Sequence, residues 1–219
     1  MGSITRSLSN NITTGGVILP AGITNASVSA VTSFANASGG TLILLSTQTA
    51  SSSASISFTT GLDSTYDAYE FHFINVKVAT DGTDFRFQGS TNGGTNYGIA
   101  VTDTYFQAYH SENDVTTAID YDTGRDLAQS TSFTTITNGV KNDADNAING
   151  TLQIFNPSST TYVKHYISRC SSNWDGVGEM DTYKGGYFNT TSAINAIQFK
   201  MNSGNIADGV IKLYGVKKS

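Results

Sequence analysis

Three histidines, His72, His110 and His165, are the whole supply of imidazole for a base or a metal ligand in this chain of 219 residues. They form neither His-x-His nor His-Glu-x-x-His, the spacings that bring two ring nitrogens to one metal ion. His72 and His165 stand beside aromatic residues in stretches that read as strands, where a hydrogen-bonded structural histidine is the ordinary expectation. His110 precedes Ser111-Glu112-Asn113-Asp114 and is expected to be exposed at a strand end.

The carboxylates cluster in two places. Asp120, Asp122 and Asp126 surround Gly124, and Asp143 and Asp145 follow. Alternating carboxylates in a glycine-containing loop are able to gather oxygen ligands for calcium. Here the ordered glycine and distal glutamate of an EF-hand loop are missing and Arg125 brings a positive charge, so a solvated surface loop is expected. Glycoside hydrolysis needs two carboxyl groups roughly 5–10 Å apart across a cleft, and Glu70, Glu112 and Glu179 lie in no recognisable motif. There is no Gly-x-Ser-x-Gly elbow for a serine nucleophile. Cys170 has no second cysteine to pair with, and Arg169 and Ser171 beside it make no nucleophile constellation, so a buried thiol is expected. No catalytic residue, metal site or cofactor site emerges, and the expectation is a protein that is not an enzyme.

The only tryptophan, Trp174, lies in Cys170 to Gly186 with Tyr183 and Tyr187, between two expected strands. Aromatic side chains on loops at one end of a sandwich suit glycans or protein partners. Trp174 and Tyr183 are therefore a candidate loop binding surface. The competing reading has Trp174 packing over the end of the core.

Composition narrows the partners. Charged residues are only 13% of the chain and the net charge is −5, which leaves no basic field for a phosphate backbone. Nucleic acid is not an expected partner. The longest apolar stretch runs from Leu42 to Leu45, far short of a membrane span, so no membrane insertion is expected. Arg6 is followed by Ser-Leu-Ser-Asn-Asn-Ile-Thr-Thr, not the apolar run of an export signal.

Positioning falls to strands. Residues 1–40 scatter Ile4, Ile12, Val17, Ile18, Leu19 and Ile23 among Ser, Thr, Asn and Gly, with no aromatic before Phe34. Such a segment makes no core of its own and reads as an extended N-terminal arm for anchoring or assembly. From residue 41 to 219 the pattern is that of a β-sandwich domain. Ala54, Ile56 and Phe58 alternate with Ser and Thr as one strand ending at Gly61. Tyr69, Phe71 and Phe73 share one parity while Ile74, Val76 and Val78 share the other, which calls for a β-bulge near Phe73-Ile74 or burial of both faces.

Phe85 and Phe87 mark the next strand, and Ser90-Thr91-Asn92-Gly93-Gly94 follows as a turn with a strong hairpin signal. Further strands are expected at about 98–109, 133–138, 150–155, 161–169, 183–189, 195–201 and 209–216, the last two as a closing hairpin. About ten short strands in a chain of this length predict an all-β fold, a jelly-roll-like antiparallel β-sandwich.

Several segments carry a resemblance: Ile4-Thr-Arg-Ser-Leu-Ser-Asn-Asn-Ile-Thr-Thr-Gly-Gly-Val17, Ser57-Phe-Thr-Thr-Gly-Leu-Asp-Ser-Thr-Tyr66, Phe87-Gln-Gly-Ser-Thr-Asn-Gly-Gly94, Phe155-Asn-Pro-Ser-Ser-Thr-Thr-Tyr-Val-Lys-His165, Gly186-Tyr-Phe-Asn-Thr-Thr-Ser-Ala-Ile-Asn-Ala-Ile-Gln-Phe-Lys200 and Ile211-Lys-Leu-Tyr-Gly-Val216. Over most of its length the chain resembles a virion protein family of tailed bacteriophages that infect marine bacteria and cyanobacteria. The resemblance implies a non-enzymatic structural protein located in the virion, a capsid decoration or cement protein or a head fibre, with other capsid or tail proteins as partners. It brings no catalytic residues. A polar β-body whose copies pack through aromatic and uncharged faces suits a homo-oligomer, with a trimer favoured. The alternative is a tail-associated module that binds host-surface carbohydrate.

Overall fold

The computed structural model describes residues 41–174 and 178–217. The arm expected over 1–40, with Ile4, Ile12, Val17, Ile18, Leu19 and Ile23, lies outside them. The described residues form strands β1 (Leu42–Ser53), β2 (Ile56–Phe58), β3 (Ala68–Val78), β4 (Thr83–Ser90), β5 (Val101–Ser111), β6 (Thr117–Tyr121), β7 (Leu127–Ser130), β8 (Thr134–Val140), β9 (Ile148–Phe155), β10 (Lys164–Trp174), β11 (Gly178–Phe188), β12 (Ala196–Met201) and β13 (Ile206–Val216). Every pairing is antiparallel.

Eight of these strands make a jelly roll. One sheet runs β1-β13-β3-β9 and the other β2-β12-β4-β8. Their pairs β1 with β13, β2 with β12, β3 with β9 and β4 with β8 are those of one long hairpin rolled up so that successive pairs alternate between sheets. The jelly-roll-like sandwich expected from strand count is therefore the observed fold.

Two insertions enlarge it. The β10–β11 hairpin enters between β9 and β12, and β5, β6 and β7 enter between β4 and β8. Together they extend the first sheet through β9-β10-β11-β5, with β6 and β7 pairing along β5. Trp174 pairs with Val140 and joins this wing to β8.

The core follows from strand parity. Tyr69, Phe71 and Phe73 of β3 point inward and are buried, as are Phe85 and Phe87 of β4 and Ile197 and Phe199 of β12. Phe199 sits with its ring centroid 5.1 Å from Phe71 and 5.2 Å from Phe73, so rings from both sheets interlock edge to face. The parity switch in β3 is resolved by the expected bulge. Register with β9 shifts between Phe73 and Val76, Asn75 adopts a φ of 49°, and its N–H donates to Asn149 Oδ1 at 2.9 Å. Ile74 is thereby turned outward, and Val76 and Val78 regain the core.

Three local expectations are corrected. The last strands are not a closing hairpin: β12 pairs with β2 and β4, whereas β13 pairs with β1 and β3, in the opposite sheet. The Asn92-Gly93 turn is real, with positive φ at Gly93 and Gly94 and Ser90 Oγ accepting from Gly94 N at 3.0 Å. It leads to β5, which pairs with β11 and does not return to β4. Of the residues read as one strand ending at Gly61, Ile56 and Phe58 are buried in the short β2, whereas Ala54 lies exposed between β1 and β2. The strands β6 and β7 lie outside the expected set: they are short, and Ile119 and Tyr121 of β6 are exposed, so neither strand carries a core-facing apolar run.

Candidate functional site

The histidines are dispersed. His72 Nε2 lies 2.8 Å from Glu70 Oε1, with its ring 4.7 Å from that of Tyr214. His110 pairs with Asp114 at 2.9 Å on an exposed turn, and His165 rests against Tyr187 at 5.7 Å between ring centroids. The carboxylates of the 120–126 segment go to separate partners: Asp120 accepts from Gln107, Asp122 from the Gly124 N–H, and Asp126 from the Tyr121 hydroxyl. Among the described residues no group of three His, Cys, Asp or Glu side chains gathers around one metal position.

Cys170 is buried among core residues, and burial pushes its thiol up to about 12. A thiol that stays protonated and enclosed is inert. In the folded protein it should therefore fail to react with a disulfide reagent at pH 8 over an hour, and should react with one equivalent after unfolding in guanidinium. Rapid reaction of the native protein would contradict this burial.

Trp174 and Tyr183 both belong to strands, not to a loop, and they face opposite ways. Tyr183 is the register partner of Arg169, and Arg169 and Trp174 are an odd number of residues apart on β10, so their side chains leave on opposite faces. Trp174 packs inward on Tyr109 at 4.7 Å between centroids, whereas Tyr183 faces outward. The two form no common surface.

On the inner side of the wing lies a buried ionic cluster that sequence reading missed. Asp103 and Lys184 have fully buried side chains and meet at 2.7 Å through Lys184 Nζ and Asp103 Oδ1. Oδ1 also accepts from Leu127 N at 3.0 Å, and Oδ2 accepts from Tyr166 Oη at 2.8 Å and Thr134 Oγ1 at 2.5 Å. Lys184 additionally donates to the Arg125 carbonyl at 3.2 Å.

Five strands, β5, β7, β8, β10 and β11, are thus tied at one carboxylate. Burial pulls the Lys184 ammonium below its ordinary value, with Asp103 opposing the shift. Gly186 makes the approach possible, since a Cβ there would run into Asp103 and stand 2.8 Å from Tyr166 Oη.

The outer side of the same strands carries a groove. In β11, Gly185 alternates with Tyr183 and Tyr187 and so omits a side chain from this face. A Cβ at Gly185 would meet only Thr104 Oγ1, at 3.9 Å. The resulting depression of 490 Å³ is lined by Glu70, Gln153, Ile167, Arg169, Thr104, Phe106 and Tyr183, among others.

A second depression of 530 Å³ continues along the face past Thr151 and Arg169 to Asn149, Ser171, Glu179 and Asp181. A stack lines the first depression, and its Arg169 borders both. The Phe106 and Tyr183 rings are 4.8 Å apart and 3° from parallel, and the Arg169 guanidinium covers the other side of Tyr183 at 5.1 Å.

Asp181 locks that stack. It accepts from Arg169 Nε at 3.0 Å and Nη2 at 2.6 Å, and from the Tyr183 hydroxyl at 2.8 Å. Burial alone would raise the Asp181 carboxyl, but Arg169 and Tyr183 outweigh it and leave the group below the ordinary carboxylate range. Donating to Asp181 holds the Tyr183 phenol above its usual value. An ionised acid clamped in this way positions its neighbours and has no proton to deliver.

No family model, curated protein or solved structure matches this chain.

Proposed function

We propose that this protein is a non-enzymatic structural component of a tailed-bacteriophage particle, a decoration or head-fibre-like protein held by its N-terminal arm. The observation that supports the reading most directly is the jelly roll itself, combined with what its charged groups do. Only 13% of residues are charged, and two of the close ion pairs, Asp103 with Lys184 and Asp181 with Arg169, fix neighbouring strands to one another. Fold alone does not assign function; the particle is suggested by the segment resemblance between Ile4 and Val216. Copies pack as a homo-oligomer, with the trimer preferred, against other virion proteins.

Deletion of residues 1–40 from the phage-encoded gene is the test. Particles should lose the protein, as measured by quantitative mass spectrometry against the major capsid protein, while the separately purified 41–219 chain keeps the β-rich circular dichroism spectrum of the full chain. Full occupancy on particles carrying the deletion rejects attachment by the arm, and absence of the intact protein from purified particles rejects the virion reading.

A second reading, binding of host-surface carbohydrate from the particle or its tail, is favoured by the exposed groove on the outer face of the wing. It does not use Trp174, which faces the interior.

A further inference from the structure

We propose that the outer-face groove across β3, β9, β10, β11 and β5 is a binding site for a neutral polysaccharide chain, with Gly185 as its floor and the Phe106–Tyr183–Arg169 stack as its wall. The proposal rests on the carbohydrate-binding reading and is independent of whether the arm attaches the protein to a particle.

The site is built in advance. Its floor is a missing side chain in the middle of a strand, and its wall is held by three hydrogen bonds from Arg169 and one from Tyr183 to Asp181. A ligand therefore meets groups that have little ordering left to do.

The lining selects the ligand class. Hydroxyl and amide groups of Thr104, Thr151 and Gln153 both donate and accept, as the hydroxyls of a sugar require. Ile167, 52% exposed, and Phe106, 41% exposed, supply apolar patches for the C–H side of a pyranose. An open groove of this kind encloses too little of a wholly apolar ligand to hold it, because the pockets that hold apolar ligands bury most of the ligand's surface.

Charge excludes the anionic glycans. Among the described lining residues, Glu70, Glu179 and Asp181 stand against Arg169 as the outward cation, since the Lys184 ammonium is turned inward to Asp103. An acidic polysaccharide would meet net repulsion. Two depressions in line, sharing Thr151 and Arg169, accommodate a chain of sugars in preference to a single one.

Gly185→Leu gives the decisive variant. Gly185 has no positive φ, and its Cβ position is open, so leucine should fill the groove and leave the fold and melting temperature intact. Affinity electrophoresis of the full chain through gels containing dextran, galactomannan or xyloglucan, with polygalacturonate as the acidic comparison, reads binding directly.

The intact protein should be retarded by at least one of the neutral polymers and not by polygalacturonate. Gly185→Leu should weaken that retardation about tenfold or more, equivalent to the loss of a principal contact, and Trp174→Ala should leave it unchanged. No retardation by any of the four polymers overturns both this site and the carbohydrate reading, and retardation by polygalacturonate alone overturns the neutral-ligand site while leaving that reading standing. Binding that survives Gly185→Leu but disappears in Trp174→Ala overturns the site alone. A fall in light-scattering mass of Gly185→Leu relative to the intact protein would show that a second copy of the chain occupies the groove, and would also overturn the proposal.

Discussion

Replacing Phe199 by alanine is expected to destabilise the protein by about 3–5 kcal/mol and to lower its unfolding temperature by roughly 10 °C. Phe199 is fully buried at the centre of β12, where its ring meets those of Phe58, Phe71, Phe73, Phe85 and Phe87. Phe71 and Phe73 belong to one sheet and the other three to its opposite, so this ring stands at the centre of the interdigitated layers of the jelly roll, where Phe58 also meets Phe71 and Phe85 meets Phe73. Truncation removes the transfer energy of a buried phenyl and leaves a cavity walled by rigid aromatic rings, which relax poorly into the gap. Phe155→Ala, at a phenylalanine 38% exposed on the surface, should shift stability by about 0.5 kcal/mol or less. Equilibrium urea unfolding of the two variants compares them directly. A loss at Phe199 no larger than at Phe155 would mean that the sheets do not pack at this ring.

The residues around Phe199 also show what a sequence discloses about such a fold. Alternation in Ile197, Phe199 and Met201, and in Tyr69, Phe71 and Phe73, reports which face of a strand is buried, and all six side chains are in fact buried. The change of parity after Phe73 leaves a bulge or burial of both faces open, and the structure has the bulge, at Asn75. Alternation does not report the partner. Residues 196–201 and 206–216 have the pattern of a hairpin, yet a jelly roll sends successive strands to opposite sheets, and only long-range register reveals it. Strands β6 and β7 escaped because they run along the outside of β5 with polar or exposed residues on both faces, Ile119 being 79% exposed.

The candidate site was less legible still, for a related reason. Phe106, Arg169 and Tyr183 come from β5, β10 and β11, and nothing in the spacing between residue 106 and residue 169 indicates that their strands lie two places apart in one sheet. Tyr183 was singled out as an aromatic near Trp174, but the strand parity of the hairpin puts those two residues on opposite faces. One local signal was available. Gly185-Gly186 interrupts an otherwise bulky strand, and a glycine within a strand marks a close approach or an open space. Here the pair does both, Gly186 admitting Asp103 from the inner side and Gly185 opening the groove on the outer one.

Asp103→Ala should cost about 3–5 kcal/mol, the loss expected when one partner of a buried ion pair is removed and the other is left uncompensated. The carboxylate accepts from Lys184, Leu127 N, Tyr166 and Thr134, so its removal takes an acceptor from four donors at once and leaves Lys184 only the Arg125 carbonyl. Lys184→Met removes only one of those four and replaces a buried ammonium with an apolar side chain of similar length. It should therefore cost clearly less than Asp103→Ala, and the Asp103→Ala/Lys184→Met double variant should be more stable than Asp103→Ala alone.

The pH dependence has a definite sign. Burial depresses the Lys184 value below 10.5 in the folded protein, and loss of Asp103 removes the group that opposes the depression. Between the folded and unfolded values the unfolded chain binds more protons, so stability rises with pH. The penalty of Asp103→Ala should consequently shrink from pH 7 to pH 10, and this recovery should vanish when Lys184 is methionine. Because the cluster ties β5 and β11 to β8 from behind the Phe106–Tyr183 stack, the same substitution should also loosen the outer groove. Urea titrations at the two pH values decide the matter: a penalty that is unchanged at pH 10, or a double variant no more stable than Asp103→Ala, would show that the buried lysine carries no uncompensated charge.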